Sequence, residues 1–334
     1  MTFLIDKDQG ILSPALVPAQ DDARRDGAAL TIGLINNMPD PALKATERQF
    51  MRLLQAAAGP HRIRFHCFSL PSVRRSPDAR WHVGSEYSEL AELEQQKFDG
   101  LIVTGAEPVA PDLDQEPYWR DLTDIIDWAK TNTRSAIWSC LAAHAAVLHL
   151  DRIVRQPLPV KCHGIFDCET VVSDPLTRAA PAPLKVSHSR LNEVSEADLT
   201  RHGYEVLTRS REAGVDIFVR QYVSRFVFFQ GHPEYGLDSL LREYRRDMGR
   251  YLRGENRACP PMPEGYFDRR GEEALADFTA RALEVRDPEL LASFPERLQP
   301  RAEVAAGWRA PAISVFRNWL SYLAERKPFR VATS

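Results

Sequence analysis

Three residues carry the chemistry this sequence can offer: a cysteine, a histidine and a glutamate. Cys140 stands where a short apolar run, SAIWS (Ser135–Ser139), gives way to CLAAHAAVLHL (Cys140–Leu150), a stretch of small and apolar residues that reads as a helix. A helix N-terminus presents unused N–H groups and partial positive charge, which favour a thiolate and can hold an oxyanion. Ser139, Ala142 and Ala143 are small, as a tight strand–turn–helix elbow requires. The same place suits a small buried residue capping a core helix, so position alone does not decide.

His232 and Glu234 shift the balance. RFVFFQ (Arg225–Gln230) reads as an apolar strand, which puts Gly231-His232-Pro233-Glu234 at its carboxyl end, where open α/β sheets place their sites. Pro233 disfavours the helical region for His232 and extends it. Residues two apart on an extended segment face the same way, so Glu234 can reach the ring of His232. A histidine oriented by a carboxylate beside a helix-terminal cysteine is the arrangement for nucleophilic thiol chemistry. His144 and His149 lie along the elbow helix, as core or supporting residues. His61, His66, His82, His163 and His202 have no partner at metal-ligand spacing, and no metal is expected. Gly105, in VTGA, suggests backbone close to a ligand, although a glycine at a strand end is usually just a turn.

These residues need a scaffold. LTIGLI (Leu30–Ile35) is a β-type run ended by the turn Asn36-Asn37-Met38-Pro39, and Ala45–Ala58 has apolar residues at helical spacing. Arg62–Leu70 alternates like a strand, Gly100–Pro108 is a buried strand running into a loop, and Tyr118–Lys130 is an amphipathic helix. Strands alternating with helices of this length predict an α/β fold, a mostly parallel sheet flanked by helices. Further on, Gly164–Val172 and Gly214–Val223 read as strands, Glu264 to about Arg309 as peripheral helices and Ala312–Arg326 as a closing amphipathic helix. The organisation expected is an N-terminal extension over 1–28, an α/β domain over 29–255 and helical additions over 256–334 packing on it.

The chain has 334 residues, 44% hydrophobic and 27% charged, with a net charge of −3, an ordinary composition for a globular protein. No run of Lys or Arg is long enough to track a phosphate backbone, so no nucleic-acid partner is expected. No apolar run approaches the roughly 18–20 residues that span a bilayer, and the start lacks the basic and apolar regions of a signal peptide. A cytoplasmic protein without a membrane partner is the expectation. The five cysteines, Cys67, Cys140, Cys162, Cys168 and Cys259, are widely spread, and in a reducing compartment they are thiols.

Taken together the motifs resemble the homoserine O-acyltransferases, the homoserine O-succinyltransferase family. The matching pieces are IGLINNMP with ATERQFMRLL, FDGLIVTGAEP, the Cys140 elbow, VKCHGIFDCE, SHSRLNEV, GHPEYGLDSLLREYRRDM and FRNWLSYL. The resemblance implies a class I glutamine amidotransferase-like (flavodoxin-like) fold and a ping-pong reaction. Cys140 would take an acyl group from acyl-CoA as co-substrate, with no other cofactor, and the hydroxyl of homoserine would accept it with His232 as base. By the same resemblance Arg246 would bind the amino acid's carboxylate, a task suited to a guanidinium fork. Lys161 and Ser189 would line the substrate pocket, and the amide of Leu141 with one from a strand-end loop would hold the oxyanion. A homodimer is expected by analogy.

The sequence departs from the family pattern at several places. Asp40-Pro41 follow Met38-Pro39 where basic residues are usual, Leu141 stands where Trp is frequent, and His144 where Gln is common. At the position of Val109 the family pairs Gly with succinyl and Glu with acetyl, so the donor stays open between them. The segment 267–300 is longer than usual. Two other readings of the same triad remain: an acceptor such as serine in place of homoserine, and a glutamine amidotransferase-type hydrolase. A third is a binding protein that keeps the fold without catalysis.

Overall fold

The computed structural model describes residues 2–6, 10–12, 29–295 and 298–325. Two short strands, β1 (Thr2–Asp6) and β2 (Gly10–Leu12), come first. Strand and helix then alternate: β3 (Leu30–Ile35), α1 (Asp40–Ala57), β4 (Ile63–Phe68), α2 (Pro77–Glu86), α3 (Glu92–Gln95), β5 (Gly100–Val103), α4 (Trp119–Asn132), β6 (Ser135–Ser139) and α5 (Leu141–Asp151). Among the described residues nine strands form one sheet in the order β2-β1-β4-β3-β5-β6-β13-β12-β9, with β13 (Arg225–Phe229), β12 (Ile217–Gln221) and β9 (Glu205–Val206) on the far side. The five central strands, β4 to β13 in that order, pair in parallel, and the flanks pair antiparallel.

Burial explains the apolar runs. β5 and β6 are buried at every residue, as strands covered on both faces must be. On one face Ile32, Leu34, Phe65 and Phe229 pack against α1 and the last helix, α10 (Ala310–Ala324). On the other, Leu101, Val103, Trp138 and Phe228 pack against α4 and α5. At Gly100 a Cβ would lie 2.7 Å from Leu323 and from Trp319, so the missing side chain lets α10 settle on the strand.

The second half departs from a simple α/β alternation. β7 (Gln156–Thr170), β8 (Leu184–Glu193), β10 (Thr208–Ser210) and β11 (Gly214–Val215) form a separate antiparallel sheet in the order β11-β10-β7-β8. The run Gly214–Val223, read as one strand, is split: β11 belongs to the small sheet and β12 to the large one, and the chain crosses between them at Asp216. It makes a matching crossing at Leu207, between β9 and β10. Leu207 N–H donates to Ile217 at 2.8 Å and Asp216 N–H to Thr208 at 3.0 Å, which tie the two crossings together.

Residues 1–28, expected as an extension, contribute β1 and β2, and β1 pairs antiparallel with β4. Beyond α6 (Glu196–Arg201) and α7 (Ser239–Leu252), the additions α8 (Arg269–Glu284) and α9 (Ala302–Gly307) share an apolar cluster with α7: Tyr244 and Met248 from α7, Phe278 from α8, Val304 from α9 and Phe294 from the segment between them. The end of the predicted closing helix, Arg326, lies outside the described residues. No described helix is long and apolar enough to cross a membrane, and no described group of His, Cys, Asp and Glu could hold a metal ion.

Candidate active site

The parallel register of β6 and β13 sets Ser139 opposite Phe229, so the chain leaves both strands side by side. From β6 it reaches Cys140, and from β13 it reaches Gly231 and His232. The amide of Cys140 donates to Phe229 O at 2.7 Å and fastens the two exits to each other. Cys140 has φ +52° and ψ −111°, a strained setting for a residue with a Cβ, and it persists because the surrounding packing holds it. Leu141 opens α5, so its amide has no acceptor within the helix. Gly105, after β5, runs directly against this elbow: a Cβ there would sit 2.6 Å from Leu141 Cβ and 3.2 Å from its N. Two backbone segments thus converge beside the thiol.

His232 is buried and held from three sides. Its Nδ1 pairs with Glu234 Oε1 at 2.9 Å, its N–H donates to Ser187 O at 2.8 Å, and its ring stacks on Tyr235 with centroids 4.2 Å apart. Glu234 Oε2 is buried without a partner, so that carboxylate is committed to the imidazole. Burial alone would depress the imidazole's pKa. The Cys140 sulfur and the Glu234 carboxylate outweigh it through charge and hydrogen bonds and hold His232 well above its ordinary value. Gly231 is compulsory for this geometry, since a Cβ would meet Val186 at 2.5 Å and Asp216 Oδ1 at 2.7 Å.

Lys161, Ser189 and Arg246 come from β7, β8 and α7 and meet beside His232. Lys161 Nζ lies 2.7 Å from Asp247 Oδ2, and Arg246 binds the other oxygen of Asp247 through Nε at 2.9 Å and Nη2 at 2.8 Å. Burial would raise the pKa of Asp247, but the two cations keep it lowered. The Arg246 side chain is 45% exposed. Glu243, not singled out from the sequence, joins the group. Tyr235 Oη donates to its Oε1 at 2.7 Å, while Oε2 is buried and unpartnered. Burial would raise its pKa too, yet Lys161, His232, Arg246 and the Ser189 hydroxyl hold it down, so Glu243 is ionised. A cation-seeking carboxylate and an anion-seeking guanidinium on one helix face can bind the two charged ends of an amino acid.

The remaining candidates fall into supporting places. His144 is buried with Nε2 2.9 Å from Gln230 Oε1, and burial pulls its pKa down to about 4, so it is a neutral core residue. His149 pairs with Asp127 at 2.9 Å near the surface. Val109 is 79% exposed, and its amide, with that of Ala110, donates to Glu116 Oε1 at 2.8 Å. That carboxylate closes the loop after β5 upon itself.

Known proteins resemble this chain along nearly its whole length. The family model described as homoserine O-succinyltransferase matches residues 11–329. A homoserine O-succinyltransferase of Bradyrhizobium japonicum is 57% identical over 97% of this chain and 100% of its own. One of Rhodopseudomonas palustris is 54% identical over 97% of this chain and 99% of its own. Among solved structures, a glutamine amidotransferase from Thermotoga maritima is similar at 13% identity and a TM-score of 0.49, covering 90% of this chain and 100% of that one. With a family match of this extent and relatives more than half identical over nearly their whole length, the chain belongs to the homoserine O-succinyltransferase family of acyltransferases.

Proposed function

We propose that the protein transfers a succinyl group from succinyl-CoA to the hydroxyl of L-homoserine through a thioester on Cys140. The observation that carries this reading is the pairing of Cys140 with a buried His232, whose ring is fixed by Glu234 at 2.9 Å. The sulfur of Cys140 attacks the donor's carbonyl carbon, the bond from that carbon to the CoA sulfur breaks, and His232 returns a proton to the departing thiolate. Homoserine's hydroxyl then attacks the Cys140 thioester, His232 takes its proton, and the ester leaves as the cysteine sulfur is restored. In both tetrahedral species the negative oxygen rests on the Leu141 amide and on the Gly105 backbone facing it. Arg246 holds the acceptor's carboxylate and Glu243 its ammonium, with Lys161 and Ser189 setting the orientation of Asp247 and Glu243. The reaction takes its energy from the thioester and needs no further cofactor.

Intact-protein mass spectrometry after mixing with succinyl-CoA or acetyl-CoA, then homoserine, tests this. A succinyl adduct on Cys140 that homoserine discharges is the expected result. An adduct that homoserine leaves in place would overturn the acceptor, an acetyl adduct alone would overturn the donor, and no adduct with either would overturn the covalent mechanism.

A further inference from the structure

His188, in the middle of β8, is a buried histidine that the reaction above does not use. Its side chain and that of Asp216 are both fully enclosed. Alternation along β8 turns Val186, His188 and Arg190 to one face of the strand and Ser187 and Ser189 to the other. Arg190 Nε points its N–H at His188 Nδ1 from 3.5 Å. A guanidinium only donates, so Nδ1 is the bare nitrogen and Nε2 carries the proton. Burial, with Arg190 and His232 nearby, holds the imidazole's pKa well below its ordinary value and keeps it neutral. Nε2 has no hydrogen-bond partner and faces Asp216 Oδ1 at 3.6 Å. A buried N–H left just short of a bond costs stability, and such a group in a native fold calls for a reason.

The reason lies in what Asp216 carries. Three consecutive amides lead from β13 into His232, and all three are held from here. Gln230 N–H donates to Asp216 O at 2.9 Å, and Gly231 N–H to Asp216 Oδ1 at 3.1 Å. His232 N–H donates at 2.8 Å to Ser187 O, on the residue next to His188. Thr208 Oγ1 donates to the other carboxyl oxygen, Oδ2, at 3.2 Å, so Gly231 and His188 converge on Oδ1. There is no slack at Gly231, where a Cβ would lie 2.5 Å from Val186 and 2.7 Å from Asp216 Oδ1. A rotation of the Asp216 carboxyl therefore shifts the backbone of His232, whose ring must meet both Glu234 and Cys140.

We infer that His188 is a positioning residue for His232: its Nε2–H restrains the Asp216 carboxyl and, through Gly231, sets where the ring stands. The inference rests on the reading of His232 as the base and adds to it a support on another strand. Arg190 completes that support. Its Nη1 donates to Asn192 O at 2.9 Å and its Nη2 to Ala213 O, so the guanidinium that orients His188 is itself fixed. His188 and Asp216, being fully enclosed, act through geometry alone. A misplacement of about 1 Å at a catalytic group costs on the order of 10²-fold in rate.

The test is alkylation of Cys140 by iodoacetamide at neutral pH, read at that residue by peptide mass spectrometry. It compares the wild type, His188→Gln, His188→Asn, His188→Leu and His232→Ala, with urea midpoints measured alongside. The probe needs no acyl donor, so it reads the thiol and its imidazole whatever the acyl group. Gln brings its amide nitrogen near the place of Nε2, whereas Asn reaches only that of Nδ1. Alkylation is expected to fall about 10–100-fold in His188→Asn and His188→Leu and to stay close to wild type in His188→Gln. Should His188→Leu not fold, the Gln and Asn variants decide. Equal rates in those two would overturn the inference, as would a loss that simply follows the urea midpoints. If His232→Ala alkylates as fast as wild type, it is the reading of His232 as base that fails, and the inference falls with it.

Discussion

His232 lies between the Cys140 sulfur and the Glu234 carboxylate, and the proposed acylation changes the first of them. In the free enzyme both the Cys140 sulfur and Glu234 raise its pKa against burial. In the proposed reaction the acylated sulfur carries no charge, and Glu234 alone remains to hold the imidazole up. Replacing Glu234 with Gln keeps the shape but removes that charge. The pKa of the imidazole in the acyl-enzyme then falls, and the pH above which it is a free base falls with it. Discharge of preformed acyl-enzyme by homoserine, followed against pH, therefore shows a rising limb displaced to lower pH in Glu234→Gln. Its plateau is about 10²–10⁴-fold lower because the base is weaker and less well oriented. A limb that stays in place would mean that Glu234 only fills space. Arg246→Ala separates the two half-reactions. It leaves Asp247 to Lys161 and removes the group assigned to the acceptor's carboxylate. The homoserine KM is expected to rise about 10–100-fold, with the rate of Cys140 acylation preserved. Loss of acylation instead would contradict the assignment.

At the scale of elements, the site is a product of register. Ser139 opposite Phe229 is what delivers Cys140 and His232 to one place, and Gly105 lets the β5 loop lie against the start of α5. Gly105→Ala forces a methyl to within 2.6 Å of Leu141 Cβ, so the loop or the elbow has to move. The expected outcome is an acylation rate lowered about 10²-fold through a displaced oxyanion amide. The urea midpoint should fall only modestly, because the contact lies at the edge of the core. A variant that acylates normally would remove the Gly105 loop from the site. The same elements show what the sequence could reveal. Cys140 and the His232–Glu234 pair are legible because each is a local pattern: a strand end, a run of small residues, a proline that extends its neighbour. Lys161, Ser189 and Arg246 sit on β7, β8 and α7, and their meeting depends on an antiparallel sheet whose pairings no local pattern announces. They were reached only through family resemblance. Glu243 was missed because one more acid on LLREYRRDM looks like any solvated helix charge. The break at Asp216 was missed because apolar residues on both sides read as a single strand.

Across the whole molecule, Asp216 is where the two sheets and the active site are joined. It is fully buried at the crossing between β11 and β12. Its Oδ1 accepts from Gly231 N–H at 3.1 Å, beside His232, and its Oδ2 accepts from Thr208 Oγ1 at 3.2 Å. His188, also fully buried, brings Nε2 to 3.6 Å of Oδ1, and burial keeps that imidazole's pKa well below its ordinary value. Burial raises the carboxyl's pKa to about 6, and the Gly231 amide, Thr208, Arg190 and His232 only partly offset this. A carboxyl whose pKa is higher folded than unfolded stabilises the fold below its unfolded pKa, and that contribution is lost as pH rises through the folded one. From the raised value the loss between about pH 4 and pH 7 is on the order of 3 kcal/mol. Asp216→Asn retains a carbonyl for the Gly231 amide and cannot ionise. Stability measured by urea unfolding at a series of pH values should therefore show the wild type losing ground to Asp216→Asn across that window. The difference curve removes the opposite dependence contributed by His188, which is present in both proteins. Parallel curves would mean that Asp216 is ionised throughout, its charge carried by Arg190 and His232, and that the joint between the sheets is an ion cluster instead of a neutral hydrogen-bonded one.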